Sequence, residues 1–179
     1  MKRLLKVLLL LAFTATLFAQ KETKQEQITR LYAEADTYLS EGEFNKARLP
    51  LAQLIKLDKA NRSNLYLALG GISEQHQETD IAISFYKKAI AADKKSHKAY
   101  YCLGSIYYNQ AVEIFNQLEN NPIYIAAQFD AEVSQGLELM KKALPYLEKG
   151  FQLNGDKEVY QAPVDAIQQY LKSDKTSND

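Results

Sequence analysis

Few residues in this sequence are of a type that could carry chemistry. There are two histidines, His76 and His97, and one cysteine, Cys102. A histidine works as an acid, base or metal ligand only when a partner orients it. These two are isolated, and no Cys/His cluster has the spacing of a metal site. His76 falls in a polar turn and reads as solvated. The carboxylates Glu41 and Glu43 also lie at a solvated turn, so general acid/base work is not expected of them. Lys87, Lys88, Lys94 and Lys95 read as helix-surface charges. There is no Gly-rich phosphate loop, no G-x-S-x-G and no H-E-x-x-H. The expectation is therefore no enzyme, with no catalytic residue, no cofactor and no metal. Cys102 lies between Tyr101 and Leu103 and leaves two readings: an inert buried thiol, since free cysteine behaves as a small hydrophobe, or a bond to another chain.

The elements around these residues repeat. Ala35, Gly70 and Gly104 are separated by 35 and 34 positions, and Tyr38, Ser73 and Tyr107 follow each by three. Ala47 and Ala82 are also 35 apart, followed after four residues by Leu51 and Tyr86. A period near 34 with small residues in one phase points to stacked helix pairs, because one pair cannot bury its apolar face alone. The stripes agree. Ile28, Leu31, Ala35, Tyr38 and Leu39 fall at helical spacing, as do Phe44, Ala47, Leu51, Leu54 and Ile55. Tyr66, Leu69, Gly70 and Ser73 mark a third helix, which Ser63 can cap. Ile81, Ala82, Phe85, Tyr86, Ala89 and Ile90 mark a fourth, capped by Thr79 or Asp80. No stretch alternates with period two, so no strand is expected.

These residues resemble the tetratricopeptide repeat family, over residues 28 to about 172. Ala35, Gly70 and Gly104 match the small residue that lets paired helices approach. Tyr38 and Tyr107 match the aromatic after it, while Ser73 does not. Gly42 and Phe44 match the family's turn; Gln77 and Thr79 depart from it. Lys59 and Lys94 stand where the family closes each repeat with proline. The resemblance implies an all-α, right-handed helical repeat array of about three helix pairs plus a capping helix. The repeats would span 28–61, 63–96 and 97–156, the cap 157–172, and a disordered tail 173–179. The stretch at 141–150 and the long helix before it resemble a subgroup seen in secreted Bacteroidetes proteins.

The third unit is stretched. Its stripe from Tyr100 runs on through Ala111, Ile114, Phe115 and Leu118. Asn120, Asn121 and Pro122 signal a turn. The return stripe is Ile125, Phe129, Val133, Leu137, Met140, Leu144, Leu147 and Phe151. Ala143 follows Ala82 by 61 residues where a regular repeat gives 34, so 27 residues are inserted. About twelve extra residues per helix extend each by about 18 Å at ~1.5 Å per residue. The third pair should thus be a long antiparallel hairpin that overhangs the stack. Its tip carries Leu118, Ile123, Tyr124, Ile125 and Phe129, with Leu118, Ile125 and Phe129 sharing the seam. The tip either contacts another chain or folds back on its own helices. Pro50 and Pro145 fall inside helices and should curve them. The last helix should turn Val159, Ala166, Ile167 and Tyr170 inward, and residues 20–27 should fray.

Lys2, Arg3 and Lys6 precede an uncharged apolar run from Val7 to Phe18. That run is short of the ~20 residues a membrane span needs. It reads as a secretory signal peptide over 1–19, cleaved after Ala19, with an uncleaved anchor as the other reading. The protein is then exported, periplasmic or secreted, with no stable membrane insertion after cleavage. Loss of 1–19 takes away three basic residues and leaves 19 basic against 22 acidic, a formal charge of −3. That argues against nucleic acid as a partner.

In the resembling family the first helices line a concave groove. Here that face carries Tyr32, Asp36, Leu39, Asn64, Leu67, Glu74, Lys98, Tyr101, Ser105, Tyr108 and Asn109. Tyrosines suit recognition through contact area and a hydroxyl handle; the other reading packs them inside the array. The expected function is a non-catalytic interaction module or scaffold that binds a protein or peptide on this Tyr-rich face. The alternatives are a structural homo-oligomer built through the hairpin and an accessory subunit of an envelope enzyme complex.

Overall fold

The computed structural model describes residues 22–120, 126–155 and 157–177. Seven helices follow in order: α1 (Lys24–Ser40), α2 (Phe44–Leu57), α3 (Arg62–Gln75), α4 (Thr79–Ala92), α5 (His97–Asn120), α6 (Ala126–Asn154) and α7 (Lys157–Ser177). Among the described residues there is no strand. The chain is an all-α, tetratricopeptide-like array in which α1 pairs with α2, α3 with α4 and α5 with α6. Each pair also packs on the next, through α2 with α3 and α4 with α5, and α7 closes the stack against α6 and α5. Helix α7 continues to Ser177, past residue 172 where the cap was expected to end, so residues 173–177 are helical.

The first helix begins earlier than its apolar stripe. Thr23 accepts a bond from the Glu26 amide at 3.3 Å, and the Glu26 carboxylate accepts the Thr23 amide at 2.8 Å. This reciprocal cap satisfies two amides that the helix leaves open. Residues 24–27, expected to fray, are therefore helical. At the turn to α2, Gly42 has φ 73°. The Glu43 amide returns to the Tyr38 carbonyl at 2.8 Å. The turn from α3 to α4 repeats this 35 residues on, with Gln77 at φ 59° and the Glu78 amide on the Ser73 carbonyl at 2.9 Å. The sequence departs from the family at Gln77, yet the backbone does not.

Neither Ser63 nor Thr79 or Asp80 caps its helix. The Ser63 hydroxyl donates to the Ala89 carbonyl at 3.0 Å, tying α3 to the end of α4, while Asn61 stands at the N-cap. Helix α4 starts at Thr79 behind Glu78, whose carboxylate pairs with Arg48 of α2. In place of closing prolines, Asp58 accepts the Asn61 amide at 3.3 Å, and Asp93 accepts the Lys95 amide at 2.9 Å.

Glycine sets the distance within the second and third pairs. A Cβ on Gly70 would run into the Tyr86 ring, and one on Gly104 would lie 2.7 Å from Leu147. Tyr86 and Leu147 are both fully buried. In the extended part of the third pair, the Phe115 ring occupies the space beside Gly136. Tyr170 of α7 stacks on that ring at 5.0 Å and 5°. The hairpin is thus not covered by two helices alone, because α7 lies along it. The inward residues of α7 are Tyr160, Val164 and Ile167; Val159 is 44% exposed and Tyr170 41%. The buried stripe therefore starts one residue later than the sequence suggests. At the far end Leu118 is buried but Phe129 is 44% exposed, so Phe129 does not share the seam. Ile123, Tyr124 and Ile125 lie outside the described residues. Helices α2 and α6 continue through Pro50 and Pro145.

Gly70 and its neighbour Gly71 make a sharp test. A Cβ on Gly71 would have only the Tyr86 hydroxyl near it, at 4.0 Å. Gly71→Ala should stabilise by up to ~1 kcal/mol, the helix-propensity difference. Gly70→Ala should destabilise by about 1–2 kcal/mol, since overpacking outweighs that gain. Urea denaturation of both variants reads the opposite signs. Separately, Gln77→Gly should raise stability by about 0.5–1 kcal/mol by relieving a left-handed conformation at an exposed position. A lowered midpoint would contradict the turn geometry.

Candidate functional site

The first-helix face divides into three parts. At the first junction, the Tyr32 hydroxyl donates to Asp58 at 2.9 Å, and the Asn61 amide donates to the Tyr32 oxygen. Asn64 donates to Asn61 at 2.6 Å. Burial, with Asp58 beside it, raises the Tyr32 pKa against the opposing Asn61 bond, so the phenol stays a donor. Tyr32 and Asn64 are therefore brought together, through two residues the sequence does not single out. The network ties the first pair to the second. Asp36 is exposed beside it, while Leu39 and Leu67 are half-buried against the first and second apolar clusters.

The second part lies between the turn of the second pair and α5. Glu74 accepts a hydrogen bond from the Tyr86 hydroxyl. Burial is the main reason that phenol is held far above its ordinary pKa, and the carboxylate adds to it. Glu74, Gln77, Thr79, Asn109, Gln110 and Glu113 line an open cleft of about 250 Å³. A second cleft, of about 550 Å³, shares Asn109 and Glu113 and continues past Val112 and Asn116 to Gln117 and Asn120. Together they form an amide-lined trough along α5, with Ile106 and Val112 also in its lining. It lies where α5 outruns α3 and α4, and α6 borders it at Gln135 and Leu139. Of the residues expected from sequence, Glu74 and Asn109 sit in it. Gln110, Glu113, Asn116, Gln117 and Asn120 were missed. Their amide-rich spacing at three and four residues was the available signal.

The third part is occupied by the chain itself. The Tyr101 ring meets the Tyr160 ring of α7 edge-on at 5.0 Å. Tyr101 and Tyr108 both pack against the third apolar cluster. Ser105 is half-buried and Lys98 exposed. The first-helix face is thus not one continuous tyrosine surface.

The candidate reactive groups have structural surroundings. His97 Nδ1 lies 3.0 Å from the Tyr160 hydroxyl, linking the start of α5 to α7. The His76 ring sits edge-on to Phe44 at 6.4 Å. Cys102 is half-buried, and burial is the first cause that pushes its thiol pKa up, which disfavours the thiolate. Among the described residues, no group of three or more His, Cys, Asp or Glu side chains could hold a metal ion, and no helix is long and apolar enough to cross a membrane.

No protein-family model and no curated protein matches the sequence. Among solved structures the chain is similar to two crystal structures of MamA. One is 18% identical, covers 93% of this chain and 87% of that one, and has a TM-score of 0.43. The other is 20% identical, covers 90% and 76%, and has the same TM-score of 0.43.

The contact with Tyr160 changes what Tyr101 should do. Tyr101→Ala should destabilise the fold by about 2 kcal/mol, less than for a fully buried aromatic because the side chain is only half-buried. Tyr101→Phe should leave stability within about 0.5 kcal/mol. Thermal melts separate the two; an unchanged melting point for the alanine variant would return Tyr101 to the free surface.

Proposed function

We propose that this protein is an exported, non-catalytic interaction module that takes an extended polypeptide segment along the trough on α5. One observation carries this reading. Asn109, Gln110, Asn116, Gln117 and Asn120 line open clefts along α5, interspersed with Ile106 and Val112 and with Glu74 and Glu113 among them. A primary amide offers both donors and an acceptor. An extended chain leaves its own N–H and C=O groups open, so a row of amides can bond it whatever its side chains. The two carboxylates then favour basic residues in the segment. This reading prefers the trough to the Tyr-rich concave surface expected from sequence, because the Tyr101 ring already meets Tyr160 of α7. Export rests on the basic start and the short apolar run of residues 1–19.

A photo-crosslinking residue at Asn116, with a control at Lys87 on α4, tests this in the native cell. Adducts to a different protein should form from Asn116 and not from Lys87. The same mass spectra should show a chain beginning near Gln20. No adduct at Asn116 would reject the trough. Adducts to a second copy of this chain would favour the self-associating scaffold instead.

A further inference from the structure

The opposite side of α5 carries a cleft of different chemistry. At ~100° per residue, Tyr100 and Tyr107 share one face of α5, and Asn109, Glu113, Asn116 and Asn120 lie about half a turn round from it. Tyr100 and Tyr107 meet a stripe on α6 made by Lys142, Pro145, Tyr146 and Lys149, and the six residues line an open cleft of about 690 Å³. The Tyr146 ring stands between the other two, with centroids 6.4 Å from Tyr100 and 6.1 Å from Tyr107, tilted by 37° and 32°. Both lysines are exposed. Neither forms an ion pair among the described residues, and the nearby Glu138 is bonded to Lys141 at 2.8 Å.

We infer that this cleft is a second recognition site, which takes an acidic, proline-containing peptide in the polyproline II conformation. Three features select that occupant. The floor is aromatic, and flat rings accept a prolyl ring with little entropy to lose, because the segment is already extended. The spacing fits: Tyr100 and Tyr107 are two turns apart, about 10.5 Å along the axis, and prolines at i and i+3 of polyproline II are about 9.3 Å apart. The charge also fits. Lys142 and Lys149 flank Pro145 and Tyr146 at the same two-turn spacing, so they meet acidic residues placed beside those prolines. The site is separate from the trough and stands whether or not the trough binds.

The test uses the full chain and a small panel of fluorescein-labelled peptides built on Pro-x-x-Pro with flanking Glu and Asp. Anisotropy should show saturable binding at micromolar concentration. Exchanging the acids for Lys, or the prolines for Gly, should abolish it. The double variant Lys142→Glu, Lys149→Glu alters only exposed side chains and should weaken binding at least about tenfold. Tyr146→Leu keeps an apolar side chain there and should also weaken it, while Asn116→Ala in the trough should change nothing. Circular dichroism checks each fold. No saturable binding by any peptide of the panel would overturn the inference. So would equal binding of the glycine peptides, which marks a general attraction for acids, or unchanged binding by the charge-reversed chain.

Discussion

The close approach of two helices at a missing side chain is the constraint on which the array depends. Gly70 receives the Tyr86 ring, and Gly104 receives Leu147. Both large groups are fully buried, so the contact fixes how near the two helices of a pair lie. In the second pair the partners are 16 residues apart, and Ala35 and Leu51, in one buried cluster, have the same separation. In the third pair it becomes 43 residues, which is 16 plus the 27 inserted. The insertion therefore leaves the repeat contact intact and adds its length beyond it, on both helices.

That added length creates the trough. A helix in a regular repeat is flanked by neighbours of its own length. Helix α5 runs on after α3 and α4 have turned, so one side of its outer half meets solvent and becomes the amide-lined trough. Its other side is held by α6 and α7, through Phe115 beside Gly136 and under Tyr170. The same helix thus carries an amide-lined face and, half a turn away, a tyrosine-lined one.

The junctions between pairs rest on polar contacts rather than on the prolines the family uses. Asp58 and Asp93 each accept an amide at the link. Tyr32, Asn61 and Asn64 extend the first link into a network. Arg48 and Glu78 join α2 to the start of α4. The bond from Arg48 holds the Glu78 carboxyl below its usual range, so its contribution is present above the ordinary carboxylate pKa and is lost as the pH falls through the lowered value.

The helix pairs, their phase and the size of the insertion are legible in the chain alone. They follow from side-chain size at fixed spacing: a helix that buries one stripe must place apolar and small residues three and four apart, and that pattern is local. Position in the repeat names residues for the first-helix face, but Tyr32 and Asn64 join a polar link while Tyr101 and Tyr108 pack against the third apolar cluster. What that face does depends on packing between distant helices. Tyr101 and Asn109 are eight residues apart on one helix, yet α7 covers the first and leaves the second open. The position of α7 depends on the Tyr160, Val164 and Ile167 stripe meeting α5 and α6, and the Tyr160 contact with His97 spans 63 residues, which no local spacing encodes. The caps show the same division. Ser63 and Glu78 have the chemistry to close a helix start, but their partners, Ala89 and Arg48, come from other helices. Ser63 lies inside a helix that starts at Arg62, and Glu78 makes no side-chain cap, so which bonds these groups form is decided by helices distant in sequence.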